Sequence, residues 1–341
     1  MAHIRTHNPW DPDRGLVTPE PAYLTRRRFL ETSAAALGGA VLWSAGFGSS
    51  AGAQATPRRG EARFYEPDAD PVRAGKVAWS EAFENLHPGK RHPAFTLDRE
   101  MTRESIAATY NNFYEFTNVK DKVWTLVDKF EARPWTMEIA GLVEKPKIVD
   151  VEYLAKIMGV EERLYRHRCV ERWAMAVPWN GIPMKKLVEY AKPLGSARFV
   201  RMVAFHRPDQ APGFRTQSWY PWPYFEALRL DEATNEVAFL ATGIYGHPLI
   251  KQHGAPIRLV TPWKYGYKSI KSIVRFEFTE KQPKTFWNEV APAEYGFISN
   301  VDPATPHPRW SQAQERMIGT DVMLPTQPYN GYGAWVAKLY G

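Results

Sequence analysis

The chain has 341 residues, of which 44% are hydrophobic and 24% charged, so it can bury a substantial core and is not a disordered polymer. A formal net charge of +7 favours phosphate-bearing cofactors, acidic partners or anionic surfaces. The Lys and Arg are spread along the whole chain without a zinc-finger or RNP pattern, which argues against a nucleic-acid partner.

In chain order, the first feature is Thr25-Arg26-Arg27-Arg28-Phe29-Leu30-Glu31, a twin-arginine pattern followed by a mildly apolar stretch from Thr32 to Phe47. Ala51-Gly52-Ala53 and Ala53-Gln54-Ala55 offer small-residue cleavage sites. The stretch falls short of the ~20 apolar residues that a membrane span needs. Residues 1–55 therefore read as a cleaved twin-arginine signal peptide, and the mature protein as a soluble periplasmic one. Residues 56–105 are rich in Pro, Arg and acids, and read as an extended N-terminal arm. Residues 106–341 read as the catalytic domain.

Within that domain, Trp135 to Ile139 alternates apolar and polar residues, the period of a strand, and Gly141 follows as a turn. Asp150 can cap a helix that places Val151, Leu154 and Met158 on one face. Pro183 suits the first position of a second helix, with Leu187, Val188 and Ala191 inward and Pro193 ending it. Phe199–Phe205, Val237–Thr242 and Pro256–Val260 are further strands, as is the segment in which Val274, Phe276 and Phe278 alternate with Arg275 and Glu277. Strands outnumber helices without alternating regularly with them, which favours an α+β fold over a doubly wound sheet.

The chemistry-bearing residues fall in three segments. Cys169 is the single cysteine, flanked by Arg166, His167, Arg168 and Arg172, and nearby cations favour the thiolate that attacks electrophiles or binds soft metals. The same residue in isolation also fits a buried structural thiol. A Cys-dependent hydrolase is a further reading, with His206, His247 or His253 as base and nothing to choose among them. The second segment, Tyr110-Asn111-Asn112-Phe113-Tyr114-Glu115-Phe116, offers amides, a carboxylate and aromatics to the edges of a heterocycle, or is an ordinary turn with packing rings. The third runs from His253 to Lys271, where Arg258, Lys264, Lys268 and Lys271 supply cations for a phosphate or simply a solvated basic loop. No Gly-x-Ser-x-Gly, His-Glu-x-x-His, Walker or Gly-x-Gly-x-x-Gly pattern occurs.

Together these segments resemble the molybdopterin-dependent catalytic subunits of bacterial periplasmic protein-methionine-sulfoxide reductases. The resemblance continues through Glu294-Tyr295-Gly296-Phe297 and His307-Pro308-Arg309-Trp310-Ser311-Gln312, and covers nearly all of the chain from Tyr110 onward. It implies a sulfite-oxidase-type molybdopterin-binding fold with mixed sheets and flanking helices, holding one Mo-molybdopterin. It further implies Cys169 as the molybdenum ligand, with cofactor contacts from Asn111, Tyr114, Glu115, Arg258, Ser269, Ile270 and Lys271. His253 stands where the family pattern has Asn, and can still form a hydrogen bond. Ala204 stands near a Thr position and can offer only backbone atoms. The implied partners are a membrane haem-b quinol-oxidising subunit as electron donor and oxidised periplasmic proteins as substrates, with the catalytic subunit monomeric. Tyr114, Glu115 and His253 are the candidates for proton transfer. A sulfite oxidase is the nearest rival. About sixty residues follow the Phe278 strand, fewer than a further domain of ~100 residues would need. A periplasmic binding protein without catalysis is the rival from another class.

Overall fold

The computed structural model describes residues 69–341, so the twin-arginine pattern, the cleavage motifs and residues 56–68 lie outside the described residues. The described chain carries two mixed β-sheets with short helices, the α+β arrangement expected. The five-stranded sheet runs in the order Lys147–Asp150, Thr136–Gly141, Ile273–Thr279, Phe199–Ala204, Phe225–Arg229. Its central strand Ile273–Thr279 is parallel to Thr136–Gly141 and antiparallel to Phe199–Ala204. The eight-stranded sheet is built on the hairpin of Glu161–Arg168 and Trp173–Pro183, which pair from Glu161↔Gly181 to Arg168↔Ala174. Phe239–Ile244 pairs with the outer half of Trp173–Pro183 and carries Arg258–Val260 on its other edge.

Trp173–Pro183 is buried along almost its whole length. A strand covered on both faces loses the alternation that marks a half-exposed one, and Pro178 within it removes a ladder donor; neither feature advertises a strand in the sequence. Its register against Phe239–Ile244 shifts between Asn180 and Gly181. A Cβ on Gly181 would stand 2.1 Å from the Leu240 carbonyl oxygen, so the close approach of the two strands requires glycine there.

The helix Val151–Met158 begins where expected. Asp150 accepts a hydrogen bond from the Tyr153 amide at 3.0 Å, and Val151, Leu154 and Ala155 face the core. The helix Met184–Ala191 differs by one step. Pro183 ends the preceding strand and serves as N-cap, because its backbone is still extended, and Lys192 closes the helix in the left-handed region before Pro193. Residues 69–105 carry the short helices Asp70–Ala74 and Glu81–Glu84, and Lys90–Arg91 adds a parallel strand beside Glu161–Glu162. Phe83 and Phe95 from this segment are buried in the main core, each a gain of roughly 2–3 kcal/mol over exposure. One apolar cluster joins the sheets, drawing Met137 and Phe276 from one and Trp179 and Leu240 from the other.

Candidate active site

Cys169 sits at the tip of the Glu161–Arg168/Trp173–Pro183 hairpin. Its amide donates to the Trp173 carbonyl at 2.9 Å, and its carbonyl accepts from the Arg172 amide at 3.0 Å. Arg172 takes the left-handed conformation that closes so short a turn. The thiol is therefore fixed by the register of two long strands. Around it opens a cleft of about 850 Å³, measured out to its mouth, lined by all three segments singled out in the sequence. Asn111, Tyr114 and Glu115 line it after the helix Glu104–Thr109, and Arg258, Ser269, Ile270 and Lys271 line it from the strand Arg258–Val260 and the loop beyond.

Two residues stand apart. His253 is buried but lies behind the wall of the cleft, where its carbonyl accepts from Arg258 Nη1 at 3.1 Å. Burial lowers its pKa to about 3, with the Ala107 backbone opposing the shift. Gly254 follows with φ +95°, and a Cβ there would stand 2.7 Å from the Lys271 side chain, so glycine lets this turn pack against Lys271. Ala204 lies in the Phe199–Ala204 strand, does not line the cleft, and uses its amide to reach the Tyr224 carbonyl at 2.9 Å.

The charges around the thiol differ from the sequence expectation. Arg166 is bound to Asp98, Gln327 and the Asn330 carbonyl, and Arg168 is paired with Glu315 at 3.1 Å and with Gln312. Both arginines serve the scaffold. Burial pushes the Cys169 thiol well above its ordinary pKa, Glu171 adds to the rise, and the Glu171 amide, Lys120 and Arg168 only oppose it. Burial outweighs the cations, so the thiolate needs a positive partner inside the cleft itself.

The basic loop divides in the same way. Lys264 is buried against Glu232 at 2.6 Å and also donates to Asn300 and Tyr340. Lys268 is buried against Glu226 at 2.6 Å. These two lysines are structural, so neither a phosphate site nor a solvated basic loop describes them. Arg258 and Lys271 remain on the cleft. Arg258 is buried, its guanidinium donates only to carbonyls of His253, Leu259 and Ser269, and burial draws its pKa down to about 9. Lys271 donates to the Asn112 carbonyl and has no carboxylate within ion-pair distance among the described residues; burial lowers its pKa and Arg258 lowers it further. Cations desolvated without a bonded counter-charge are costly, and an anionic group in the cleft relieves that cost.

Sequence reasoning missed several lining residues. Asn112 donates to Cys169 Sγ at 3.4 Å and to Glu171 Oε2 at 3.0 Å, and Lys120 holds the other Glu171 oxygen at 3.1 Å. Asn112 and Glu171 lie inside the motifs already noted, whereas nothing in the local sequence marks Lys120. His167 also lines the cleft, kept neutral by burial and by the nearness of Arg258 and Lys271. Tyr224, Trp287 and Tyr295 complete the walls.

Among the described residues no group of three or more His, Cys, Asp or Glu is arranged to hold a metal. A metal ion on Cys169 would take its remaining ligands from a cofactor or solvent. The residues fit such a group: a buried thiol at one wall and, at another, two cations with no carboxylate within ion-pair distance among the described residues. The chain is 40% identical over 334 residues to the protein-methionine-sulfoxide reductase catalytic subunit MsrP of Burkholderia mallei, covering 97% of this chain and 93% of that relative. The chain belongs to the MsrP family. The MsrP catalytic subunit of Xanthomonas axonopodis pv. citri is 41% identical over 330 residues, covering 95% of this chain and 93% of that relative. Residues 124–287 match the family described as oxidoreductase molybdopterin binding domain. The chain is thus a molybdopterin-dependent oxidoreductase. The sulfane dehydrogenase SoxCD of Paracoccus pantotrophus aligns over 70% of this chain and 57% of its own, at 16% identity and a TM-score of 0.41. Among the described residues no helix is long and apolar enough to cross a membrane.

Proposed function

We propose that the chain reduces methionine sulfoxide residues in periplasmic proteins, with one Mo-molybdopterin in the cleft and Cys169 as the protein ligand to molybdenum. The carrying observation is that one cleft holds the single thiol of the chain beside two cations, the buried Arg258 and the half-buried Lys271, neither of which has a carboxylate within ion-pair distance among the described residues. Arg258 and Lys271 hold the anionic part of the cofactor. Ser269 and Ile270 line the cleft along the same loop, their backbone groups engaged within the protein, and Asn111, Tyr114 and Glu115 border it on the other side. His253 acts at one remove, by anchoring Arg258. Electrons come from a membrane haem-b quinol-oxidising subunit, and the catalytic subunit is a monomer delivered by the twin-arginine pattern.

When bound, Mo-molybdopterin supplies the two-electron exchange that turns a sulfoxide into a thioether and, with two protons, water. The chain supplies position and hydrogen bonds. Burial holds Tyr114 well above the ordinary phenol pKa and pushes Tyr295 up to about 12. Both stay protonated at neutral pH and offer O–H donors to a polar oxygen in the cleft. Burial also raises the Glu115 carboxyl and lowers the Lys271 ammonium, so both titrate closer to neutrality than usual, as groups that exchange protons must.

Replacing Cys169 by Ser is expected to abolish sulfoxide reduction and to lower the molybdenum content of the purified protein. Turnover of a sulfoxide peptide at the wild-type rate by C169S would remove the assignment. Sulfite oxidation by the wild type without sulfoxide reduction would favour the sulfite oxidase reading instead.

A further inference from the structure

The cleft does not end at its lining residues. The half-buried Tyr114 ring meets Trp287 at 5.2 Å between centroids and Tyr220 at 6.1 Å. Trp287 in turn meets Tyr295 at 5.4 Å and Tyr220 at 5.7 Å. Tyr220 then meets Trp219 at 5.8 Å, and Trp219 is 56% exposed. A run of rings thus climbs from the wall of the cleft to the surface. Its outer part is stiff: Pro221 and Pro223 fix the backbone after Tyr220, and the Trp222 indole donates to the Gln217 carbonyl at 2.8 Å. Gln217 is tied in turn to the Tyr114 carbonyl at 2.6 Å, so the outer rings are braced against the cleft wall.

A lone exposed indole on a protein surface is ordinary. Here the indole is the end of a braced aromatic series that is continuous with the reaction cleft. A sulfoxide carried by a polypeptide brings its flanking residues across this rim. We infer that Trp219, with Tyr220 and Trp287, forms a docking shelf for the polypeptide on one side of the methionine sulfoxide, and selects apolar, aromatic or methionine side chains there. Rigid rings lose little entropy on contact, and they favour thioether and apolar groups. An extended peptide advances about 3.3 Å per residue. The two ring-to-ring steps of 5.7 Å and 5.8 Å from Trp287 to Trp219 therefore span no more than about three to four residues of extended peptide. This inference rests on the function proposed above and adds the substrate class.

The test compares loaded wild-type enzyme with W219A and W219F on three substrates: dimethyl sulfoxide, a heptapeptide with methionine sulfoxide among Gly and Ser, and the same peptide carrying Leu or Phe two to four residues from the sulfoxide. The shelf predicts that the wild type prefers the apolar peptide through KM. W219A raises KM for that peptide about fivefold with kcat held, and W219F restores most of it. KM for dimethyl sulfoxide stays put in both variants. Equal KM for the two peptides in the wild type, or the same change on all three substrates in W219A, overturns the shelf while leaving the reaction cleft intact. Absence of turnover on every substrate in molybdenum-loaded wild type overturns the proposed function and the shelf with it.

Discussion

Lys268 and Lys271 are three residues apart in one loop, yet their surroundings assign them opposite tasks. Lys268 is bound to Glu226 with both side chains fully buried. Removing one member of such a pair strands the other charge, at a cost of roughly 3–5 kcal/mol, while replacing both with apolar residues of similar size costs little. Thermal melting is expected to show K268A strongly destabilised, with the paired substitution of Lys268→Met and Glu226→Leu recovering most of the loss. Lys271 has no carboxylate within ion-pair distance among the described residues, so K271A should melt close to the wild type while carrying less molybdopterin, read by metal and pterin analysis. A large loss of melting temperature in K271A, with cofactor retained, would make Lys271 structural as well. Sequence alone could not separate the two lysines, because the distinction lies in Glu226, a residue from a strand of the other sheet whose position only the fold reveals.

At the scale of elements, what could be read depended on how each element meets water. The helix Val151–Met158 declared itself through its cap and its apolar spacing, and the cap contribution is measurable: D150A should lose about 1 kcal/mol of stability by urea denaturation with sulfoxide turnover unchanged. An unaltered urea midpoint would show that the helix is held by packing alone. Ile273–Thr279 and Thr136–Gly141 were legible because polar residues alternate along them. The hairpin that seats Cys169 was not. Its first strand, Glu161–Arg168, spells Arg-Leu-Tyr-Arg-His-Arg yet buries Arg163 and Arg168, whose charges are met by Glu161 and Glu315. Residues that look like a solvated basic run are interior because Glu161 in the strand itself and Glu315 from elsewhere in the chain neutralise them. The three motif segments were recognisable by residue type; that they converge is a property of the hairpin and the loop that it faces.

Across the whole molecule, acid is expected to loosen the fold through its buried histidines. His87 joins the segment before the hairpin to the strand Phe239–Ile244, with Nδ1 at 3.0 Å from the Phe83 carbonyl and Nε2 at 3.0 Å from Thr242 Oγ1. Burial lowers its pKa to about 4 from 6.5. The unfolded chain therefore binds a proton below pH 6.5 that the folded chain refuses until about pH 4. Stability should be complete above pH 6.5 and fall as pH drops toward 4, by on the order of 3 kcal/mol from this residue. H87Q, which keeps a donor and an acceptor, should flatten that part of the melting-temperature profile; an unchanged slope would move the effect to His167 or His253. The closed turn around Cys169 also has a practical side for anyone wishing to watch this protein at work. With its single native sulfhydryl only 4% exposed in the cleft wall, a cysteine engineered near Trp219 becomes the more accessible site for a dye or spin label, and peptide arrival could be followed without mutating the native residue away.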